Sequence, residues 1–455
     1  MRSAIVVSIV AIAWPADARV IPVATASELS TAIDGAQPGD EIVLADGTYQ
    51  LTGATCDSVG TAAAPITVRA ANRRMAKLEL DSVEGFRVTG AYWRFEGLDV
   101  VGTCSSDDAC EHAFHVTGAA HHFVLRDSRI AEFNAQLKVN AAIVGGMMVA
   151  PDAGLVERND VGDHRGRNTA KPVTKLNIDT GDDWVVRDNY LHDSHKLLDD
   201  RISYVAFLKS GGKRGVFERN LVVCAADDPT GGVRVGLSLG GGGTGPAFCA
   251  PAYDPGVPCS IEHDAGIIRN NIIVNCSDVG VYLNRARDTK VLYNTLIATA
   301  GIDFHKDTTS GEAVGNVLAG QIRTRDGATM TATDNRELVD AAQFASWYRA
   351  PLTGDLSVIG DVASLVAAGP PRTEVPDDHC ARDRPASAYT LGALEHSLGA
   401  CTAPLPGGDG APIGGDGAGA GESGGCCDGG GGAAWPTGVL LALALARRRG
   451  RPTTT

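Results

Sequence analysis

"VRDNYL" (186–191) is one copy of a short pattern that recurs along the chain and decides its fold. Each copy has an apolar residue, usually a charged residue, then Asn or Ser, and then more apolar residues. The other copies are "VLRDSRI" (124–130), "VERNDV" (156–161), "ERNLVV" (218–223), "IRNNII" (268–273), "LYNTLI" (292–297) and "VGNVLA" (314–319). A recurring pattern of this kind indicates a repeat architecture, in which each unit buries its apolar face by stacking on the next.

The spacing of the copies gives the size of the repeat. The polar anchors of successive copies are Ser128, Asn159, Asn189, Asn220, Asn271, Asn294 and Asn316. They are separated by 31, 30, 31, 51, 23 and 22 residues. The longest interval contains residues 240–262, which begin with "GGGGTGPAFCAPAYDPGVPC" and which we interpret as an inserted loop.

The apolar residues of the repeats alternate with period two, which predicts β-strands rather than helices. We therefore predict an all-β protein, a right-handed parallel β-helix with one coil per repeat. The anchor side chains would then lie above one another inside a turn of each coil and hydrogen-bond along the stack. A β-propeller is the alternative, but its blades are longer, roughly 40 to 50 residues.

Segments that could cover the stack lie at both ends of the repeat region. "TASELSTAIDGA" (25–36) has Thr25 and Glu28 at the spacing of a capping box, which predicts a short N-terminal capping helix. "DAAQFASWYRAP" (340–351) predicts a second short helix. We interpret "SAYTLGALEHS" (387–397) as a cover on the C-terminal end of the stack, because open strand edges need protection.

The N-terminus predicts export from the cell. Arg2, the apolar run Ala4–Ala13 and an A-x-A site at 16–18 are typical of a secretory signal peptide, to which we assign residues 1–18. A short N-terminal membrane anchor is the alternative. The net charge of −14 makes the surface as a whole unsuited to nucleic acid, so we expect no nucleic-acid partner.

An exported chain can form disulfide bonds. Three pairs of cysteines lie six, ten and twenty-one residues apart, and they are Cys104 and Cys110, Cys249 and Cys259, and Cys380 and Cys401. Each pair could close a local loop, but the sequence leaves the connectivity open.

The C-terminal region changes composition twice. We assign residues 19–400 to the β-helix domain, with core coils at about 40–340, residues 401–434 to a Gly/Pro-rich linker, and residues 435–455 to a tail. Cysteines, glycines, a short apolar run and Arg447–Arg449 together resemble the myxobacterial C-terminal sorting signal, which implies surface display or processed export. A plain membrane anchor is the alternative. We expect a monomer that is secreted or held at the cell surface.

Alternate residues of a strand share a face, and this rule predicts a polar row on one outer sheet. In "FNAQLKVN" (133–140) and "KLNIDTG" (175–181) the residues on the polar face are Asn134, Gln136, Lys138, Asn140, Lys175, Asn177 and Asp179. Counting back from later anchors adds Lys209, Asn284, Asp303 and His305. Arg234 should join the row from the coil that holds the insertion. The row is either a substrate groove or the ordinary polar outer surface of a β-helix.

Such a row suits cleavage of a uronate polysaccharide by β-elimination. A cation or a metal neutralises the sugar carboxylate, a base removes the C5 proton, and an acid protonates the 4-linked oxygen that leaves. A lysine near other cations has a lowered pKa and can serve as the base. Lys209, which ends an apolar run and precedes Lys213 and Arg214, is our candidate.

Two segments resemble a known family. "PGDEIVLADGTYQLTG" (38–53), followed by "APITVRAAN" (64–72), resembles the opening of secreted right-handed parallel β-helix polysaccharide lyases, with the chondroitinase-B and alginate-lyase group nearest. "LKSGGKRGVFERNLVVC" (208–224) resembles the lysine-bearing strand of that group. The resemblance extends over roughly residues 20–340.

The resemblance implies roles for particular residues. Lys209 would be the catalytic base, Arg234 would assist at the leaving group, and Asn177 would be a calcium ligand. Family members that use calcium carry acidic residues five and seven positions before the lysine. This sequence has Tyr204 and Ile202 there, so it departs from the calcium-binding pattern.

Calcium is a candidate cofactor if Asp179 and Asp200 supply the missing carboxylates. Otherwise a basic side chain neutralises the substrate carboxylate, or the protein is not a lyase. We expect an anionic polysaccharide as the partner. The predicted substrate-binding residues are Lys138, Asn177, Asn284 and His305.

Two other functions stay open. "TGDDW" (180–184) supplies Asp182 and Asp183, which are either the paired carboxylates of an inverting hydrolase or turn residues. The protein is otherwise a non-catalytic, carbohydrate-binding or structural β-helix. "CEHAFHVTGAAHH" (110–122) contains four histidines, which form a metal site or serve as ordinary polar residues near a turn, and they are His112, His115, His121 and His122.

Overall fold

The computed structural model describes residues 19–241, 248–254 and 256–401. In this part of the chain three long parallel sheets form the walls of successive coils, and a short helix follows the first strand. The protein is a right-handed parallel β-helix, and the repeat pattern predicted this fold. The predicted signal peptide (1–18), the tail (435–455) and all of the linker except Cys401 lie outside the described residues.

Sheets A, B and C are named in the order in which each coil visits them. Sheet A has twelve described strands, at Val20–Val23, Glu41–Leu44, Ile66–Ala70, Trp93–Glu96, Val124–Arg126, Leu155–Glu157, Val185–Arg187, Val216–Glu218, Ile267–Arg269, Thr289–Leu292, Gly311–Val314 and Thr331–Thr333. Sheet B has ten, at Gly47–Leu51, Ala76–Leu80, Asp99–Gly102, Arg129–Ala131, Asp160–Val161, Tyr190–His192, Leu221–Val223, Ile272–Val274, Thr295–Ile297 and Val317–Leu318. Sheet C also has ten, at Ala54–Cys56, Glu84–Val88, His112–Thr117, Ala135–Asn140, Val173–Asp179, Ile202–Lys209, Val233–Leu239, Val281–Asn284, Gly301–His305 and Gln321–Arg325.

The remaining elements are short. The strands outside the three walls are Ala142–Val144, Met147–Val149, Gly212–Lys213, His263–Asp264, Ala286–Arg287, Tyr348–Ala350 and Asp355–Val358. The helices are Ala26–Asp34 and Ala341–Trp347, with single 3₁₀ turns at Asp107–Ala109, Pro351–Thr353 and His396–Leu398. Across the described ranges, every helix is too short or too polar to pass through a bilayer.

The core fills the inside of the coils. In sheet A, Val68, Phe95 and Leu125 are partners on successive strands, and all three are fully buried. Burying one such side chain stabilises the fold by about 1.5–3 kcal/mol. The alternation that the sequence shows therefore drives the coil, because one face of each strand must leave water.

The N-terminal helix covers the first coil, as predicted. Thr25 and Glu28 form a capping box, in which the Thr25 side chain accepts from the Glu28 backbone and the Glu28 carboxylate accepts from the Thr25 backbone. Leu29 and Ile33 are buried beneath the helix. The helix places apolar side chains over strand edges that would otherwise face solvent.

The anchor side chains form the predicted ladder. Asn220 Oδ1 accepts from the backbone N of Asn189 at 3.2 Å and from its Nδ2 at 3.0 Å. Asn220 in turn donates through Nδ2 to Asn271 Oδ1 and to the Val186 carbonyl, both at 2.9 Å. Each amide therefore satisfies buried backbone groups on neighbouring coils, which are costly to leave unpaired.

The ladder is continuous across the inserted loop. Asn220 and Asn271 are adjacent in the ladder although 51 residues separate them. The ladder begins at Ser128 and ends at Asn335, one step beyond the last copy of the sequence pattern. The loop therefore leaves the coil without disturbing its register.

The outer face of sheet A carries a second row, made of alternating charges. Its members on successive strands are Glu96, Arg126, Glu157, Arg187, Glu218 and Arg269. Arg187, for example, donates to Glu157 at 2.7–2.9 Å. Each charge from Arg126 to Glu218 therefore has opposite charges on the coils before and after it.

The C-terminal segment corrects one prediction. The predicted helix forms at Ala341–Trp347. The segment 387–397, which was predicted to cover the C-terminal end of the stack, packs along sheet B instead. Phe344 and Leu394 pack against Leu221, Ile272 and other outward residues of sheet B. These aliphatic residues give sheet B an apolar outer face, and burying that face outweighs covering the open end.

Disulfides form at all three close cysteine pairs and at one distant pair. The close pairs are Cys104–Cys110, Cys249–Cys259 and Cys380–Cys401. Cys224–Cys276 joins two coils across the insertion, and sequence spacing gave no sign of it. Four disulfides in the described part of the chain are typical of a protein that folds in an oxidising compartment.

Candidate active-site groove on sheet C

The outward side chains of sheet C form two neighbouring rows. Lys138 is the register partner of Asn177 in one row, and Asp179 is the partner of Lys209 in the other. Neighbouring strands lie about 4.8 Å apart, so the four side chains form one contiguous group. The structure thus brings together the four residues that sequence alternation placed on this face. We call the surface along these two rows the groove.

Lys209 is the most unusual member of this group. Only 2% of it is exposed, and its Nζ lies 3.8 Å from Asp179 Oδ2 and 5.0 Å from the ring centroid of Phe207. Burial lowers the pKa of Lys209 below its ordinary value, and Lys138 lowers it further, while the negative charges of Asp179 and Glu262 act against this. A larger fraction of Lys209 is therefore neutral at a given pH than for a lysine in water.

Asp179 holds the two lysines together. Its Oδ2 accepts from Lys138 Nζ at 3.0 Å, and its Oδ1 accepts from the Ser210 hydroxyl. Lys138 also donates to Asn177 Oδ1 at 3.1 Å and stays partly exposed. One carboxylate therefore serves two ammonium groups, and the Lys138 side chain is the more exposed of the two.

Glu262 is a member of the group that sequence reasoning missed. It lies at the end of the inserted loop, and its Oε2 accepts from the backbone N of Gly241. A Cβ at Gly241 would come within 2.8 Å of Lys209 Cδ and 3.0 Å of Glu262 Oε2, so Gly241 lies between the two side chains. Burial raises the pKa of Glu262, which favours the protonated carboxyl group.

The rows continue toward the C-terminal coils. Asn284 is the register partner of His305, and its side chain donates to the Gly241 carbonyl. His305 Nδ1 lies 2.5 Å from the Tyr282 hydroxyl. Arg325 follows on the next strand, where it pairs with Asp303 at 2.7 Å. The predicted substrate-binding residues Asn284 and His305 therefore lie along the same face as Lys209.

Arg234 does not join the groove, and this part of the prediction is wrong. Its register partner is Ser203, six residues before Lys209 on the strand Ile202–Lys209, which corresponds to roughly 20 Å. Its guanidinium donates to the Cys224 carbonyl at 2.9 Å and to the Thr230 carbonyl at 2.5 Å. Arg234 therefore holds a turn at the far end of the strand and cannot reach a sugar that contacts Lys209.

The proposed calcium pair does not assemble either. Asp200 precedes the strand that Lys209 ends, and it pairs with Lys196 instead of approaching Asp179. Asp179 already neutralises Lys138 and Lys209. Calcium prefers six to eight oxygen ligands with several carboxylates, so the residues present here do not fit that ion.

Two residues that alternation placed outside point inward. Gln136 donates to Asp163 at 2.8 Å, and Lys175 forms a fully buried ion pair with the same carboxylate. Leu137 and Leu176, the next residues, also face the core. Two consecutive inward residues break the period of two, because a buried polar cluster inside the coil satisfies these side chains.

Asp182 and Asp183 are turn residues. Both pair with the exposed side chain of Arg214, at 3.2 Å and 2.7 Å. The ion pair with Arg214 lowers the pKa of Asp183, which is the opposite of what a catalytic acid requires. The geometry gives no support to the hydrolase alternative.

Comparison with known proteins agrees with the fold. The structure is similar to that of pectate lyase Pel9A, with a TM-score of 0.52 and 16% identity over 84% of this chain and 97% of that one. Weaker likenesses include an alginate lyase from Paenibacillus sp. str. FPU-7 (TM-score 0.38, 17% identity, 70% and 95% covered) and a lacto-N-biosidase from Eubacterium ramulus (0.44, 10%, 70% and 64%). The class that the fold defines is therefore the parallel β-helix.

A family model supplies a second similarity. Residues 23–142 match the model of the chondroitinase B family. A search of curated proteins gives no sequence match. The matched region contains Lys138 but ends before Asn177 and Lys209, so it supports the opening coils and leaves the lysine group to be judged on its own geometry.

Proposed function

We propose that the protein is a polysaccharide lyase that cleaves a uronate-containing polysaccharide by β-elimination, with Lys209 as the base. The observation that carries the proposal is a buried lysine of lowered pKa on the groove face, next to a second, accessible lysine. A base near neutral pH and a cation for the carboxylate are the two groups that the reaction needs first.

The residues of the groove divide the reaction between them. Neutral Lys209 Nζ takes the C5 proton, and the C5–H electrons form the C4=C5 double bond as the C4–O bond breaks. Lys138 stabilises the charge that develops on the sugar carboxylate. Glu262 gives its proton to the departing oxygen, the role that the family resemblance had implied for Arg234.

Lys138 takes the place that calcium would have in this reaction. Its ammonium lies at the edge of the group, where it contacts Asn177 and Asp179 and stays partly exposed. A fixed cation beside the base lowers the pKa of Lys209 and also attracts an anionic chain. We therefore propose activity that does not depend on a divalent cation at Asp179 and Asp200.

An anionic, extracellular polysaccharide is the substrate class that fits. His305 and Arg325 extend the polar face beyond Lys209, so several sugar units of a chain could contact it at once. The disulfides support a site of action outside the cytoplasm. A single chain contains every residue named in the mechanism, so a monomer suffices.

The test is incubation of the purified chain with alginate, polygalacturonate and glycosaminoglycans, with a neutral polysaccharide as the control. β-Elimination creates a double bond conjugated to the carboxylate, so we expect near-ultraviolet absorbance to rise with at least one anionic polymer and to persist in a chelator. New reducing ends without ultraviolet absorbance would identify a hydrolase and contradict the proposal.

A second candidate function is carbohydrate binding without cleavage. The burial of Lys209 and the complete ion-pairing around Asp179 favour it, because a substrate reaches Lys209 only if neighbouring groups move. Binding to an anionic polysaccharide in an affinity gel, with no change in polymer length after prolonged incubation, would support this candidate over the lyase.

A further inference from the structure

A cluster of nitrogen and carboxylate donors lies on sheet C, outside the lysine group. Glu84, His112 and His115 each place one ligand atom within 4.8 Å of the others. Glu84 and His112 are register partners on neighbouring strands. His115 is in turn the partner of Lys138, so the cluster lies next to the groove.

The strand His112–Thr117 places both histidines on the same side. Ala113 and Phe114 both face the core, so the strict alternation is broken between the two histidines. His112 and His115 therefore both point outward, three residues apart. A strict period of two would have put them on opposite faces.

The surroundings of His115 assign its tautomer. Asn140 Nδ2 donates to the Ala141 carbonyl at 2.9 Å, which turns the amide oxygen of Asn140 toward His115. That oxygen lies 2.6 Å from His115 Nε2, so Nε2 carries the hydrogen. His115 Nδ1 then faces Glu84 Oε1 at 2.7 Å.

This contact needs a cation. With a neutral ring, a nitrogen lone pair and a carboxylate oxygen would meet at 2.7 Å, which is repulsive. Either a second proton or a metal ion must lie near Nδ1. A metal-ligating histidine usually donates its other N–H to an oxygen, as His115 does to Asn140.

The His112 side chain favours a metal ion over a second proton on His115. Its Nδ1 is buried and has no hydrogen-bond partner among the described residues. A proton on His115 alone would leave this buried nitrogen unsatisfied, which is costly.

The nearby lysines do not prevent cation binding. Lys138 pairs with Asp179 at 3.0 Å, and Lys171 pairs with Glu111 at 2.7 Å. Each of these ammonium groups therefore has a carboxylate partner, although Lys138 shares Asp179 with Lys209. Glu84 lines a cavity of about 410 Å³ on this surface, together with Arg87, the register partner of His115 on the preceding strand.

We propose that Glu84, His112 and His115 bind one divalent transition-metal ion. Two imidazoles and one carboxylate suit zinc and its neighbours rather than calcium, and three protein ligands leave one position open. Asn140 is a positioning residue that orients His115. The site is independent of the proposed lyase chemistry and stands whether or not the chain cleaves a polysaccharide.

The test uses the untagged, full-length chain, stripped with chelator and then dialysed against Zn²⁺ or Co²⁺. We expect about one zinc per chain by elemental analysis, and visible absorption bands of a low-coordinate site in the Co²⁺ form. Less than about a tenth of an ion per chain, with no visible Co²⁺ bands, would overturn the proposal in favour of an imidazolium–carboxylate pair.

Variants locate the ion. His112→Ala and Glu84→Gln should each weaken zinc binding at least tenfold, and Asn140→Ala should weaken it about tenfold through loss of His115 orientation. His164→Ala, at an exposed histidine outside the cluster, is the matched control and should bind as the wild type does. Equal binding in His112→Ala and the control would overturn the assignment, and circular dichroism identifies any variant that fails to fold.

Discussion

The asparagine ladder and the groove are both rows of polar residues stacked along the coils, but they are built differently. In the ladder an amide meets the same amide on each coil, and every donor and acceptor finds a partner. In the groove an ammonium meets a carboxylate and then another ammonium. Identical amides satisfy one another's hydrogen bonds along the whole stack, whereas opposite charges pair only with their immediate neighbours.

The difference teaches where stability and chemistry reside. Asn220 is fully buried, and replacing it would break hydrogen bonds to the backbone of neighbouring coils. Lys209 is equally hidden, yet burial acts on its charge, so its pKa changes. A row of amides therefore stabilises the coil, and a row of charges changes the pKa of one of its members. Four experiments test this comparison.

The largest effect should come from Lys209→Ala. If Lys209 is the base, product formation should fall by about two to four orders of magnitude, because the group that takes the C5 proton is lost. The measurement is ultraviolet absorbance of the product. Lys213→Ala, at an exposed lysine four residues later, is the control and should keep its activity. Activity that survives in Lys209→Ala would remove the lysine from the mechanism.

The next effect should come from the ladder. Asn220→Ala leaves the Asn189 backbone N–H and the Val186 carbonyl without partners, so the free energy of unfolding should fall by about 3 kcal/mol. Denaturant titration measures it. Asn168→Ala, at an exposed asparagine, should change stability by roughly 0.5 kcal/mol or less. Equal losses in the two variants would mean that the ladder is dispensable.

The third test reads the pH dependence of the groove. Asp179 raises the pKa of Lys209 and Lys138 lowers it, so their removal should act in opposite directions. Asp179→Asn should move the acidic limb of the kcat/KM profile to lower pH, because neutral Lys209 then persists there. Lys138→Met should move it to higher pH. Shifts in the same direction would contradict the electrostatic account.

The smallest effect should come from the charged row on sheet A. Arg187 is partly exposed, whereas its partners Glu157 and Glu218 are buried. Glu157 keeps Arg158 as a partner and Glu218 keeps Arg269 when Arg187 is removed. Arg187→Ala should lower the free energy of unfolding by about 1 kcal/mol or less, and the difference should shrink in high salt. A loss as large as that of Asn220→Ala would show that charged rows contribute as much as the ladder.

The sequence predicted more of the fold than of the site. The repeats, the Thr25 capping box and the ladder could all be predicted because each depends on spacing within or between coils. Lys138, Asn177, Asp179 and Lys209 came together as predicted for the same reason. These predictions needed only a regular period.

Predictions failed where the alternation along a strand, or the spacing between coils, is interrupted. Arg234 lies near the start of its strand, so counting along the chain placed it in the wrong register. Gln136 and Lys175 point inward because both bind the carboxylate of Asp163 inside the coil. Glu262 lies near Lys209, with Gly241 between them, at the end of a loop, and a loop has no period from which to predict its position.

The sequence by itself determined the coil, because period-two strands with a polar anchor in each repeat can bury their apolar face only by stacking. Only the tertiary structure decided the site. Which side chains break the alternation, what the inserted loop delivers and how far burial moves the pKa of Lys209 all depend on contacts between coils. Those contacts join residues far apart in the chain, and local spacing carries no information about them.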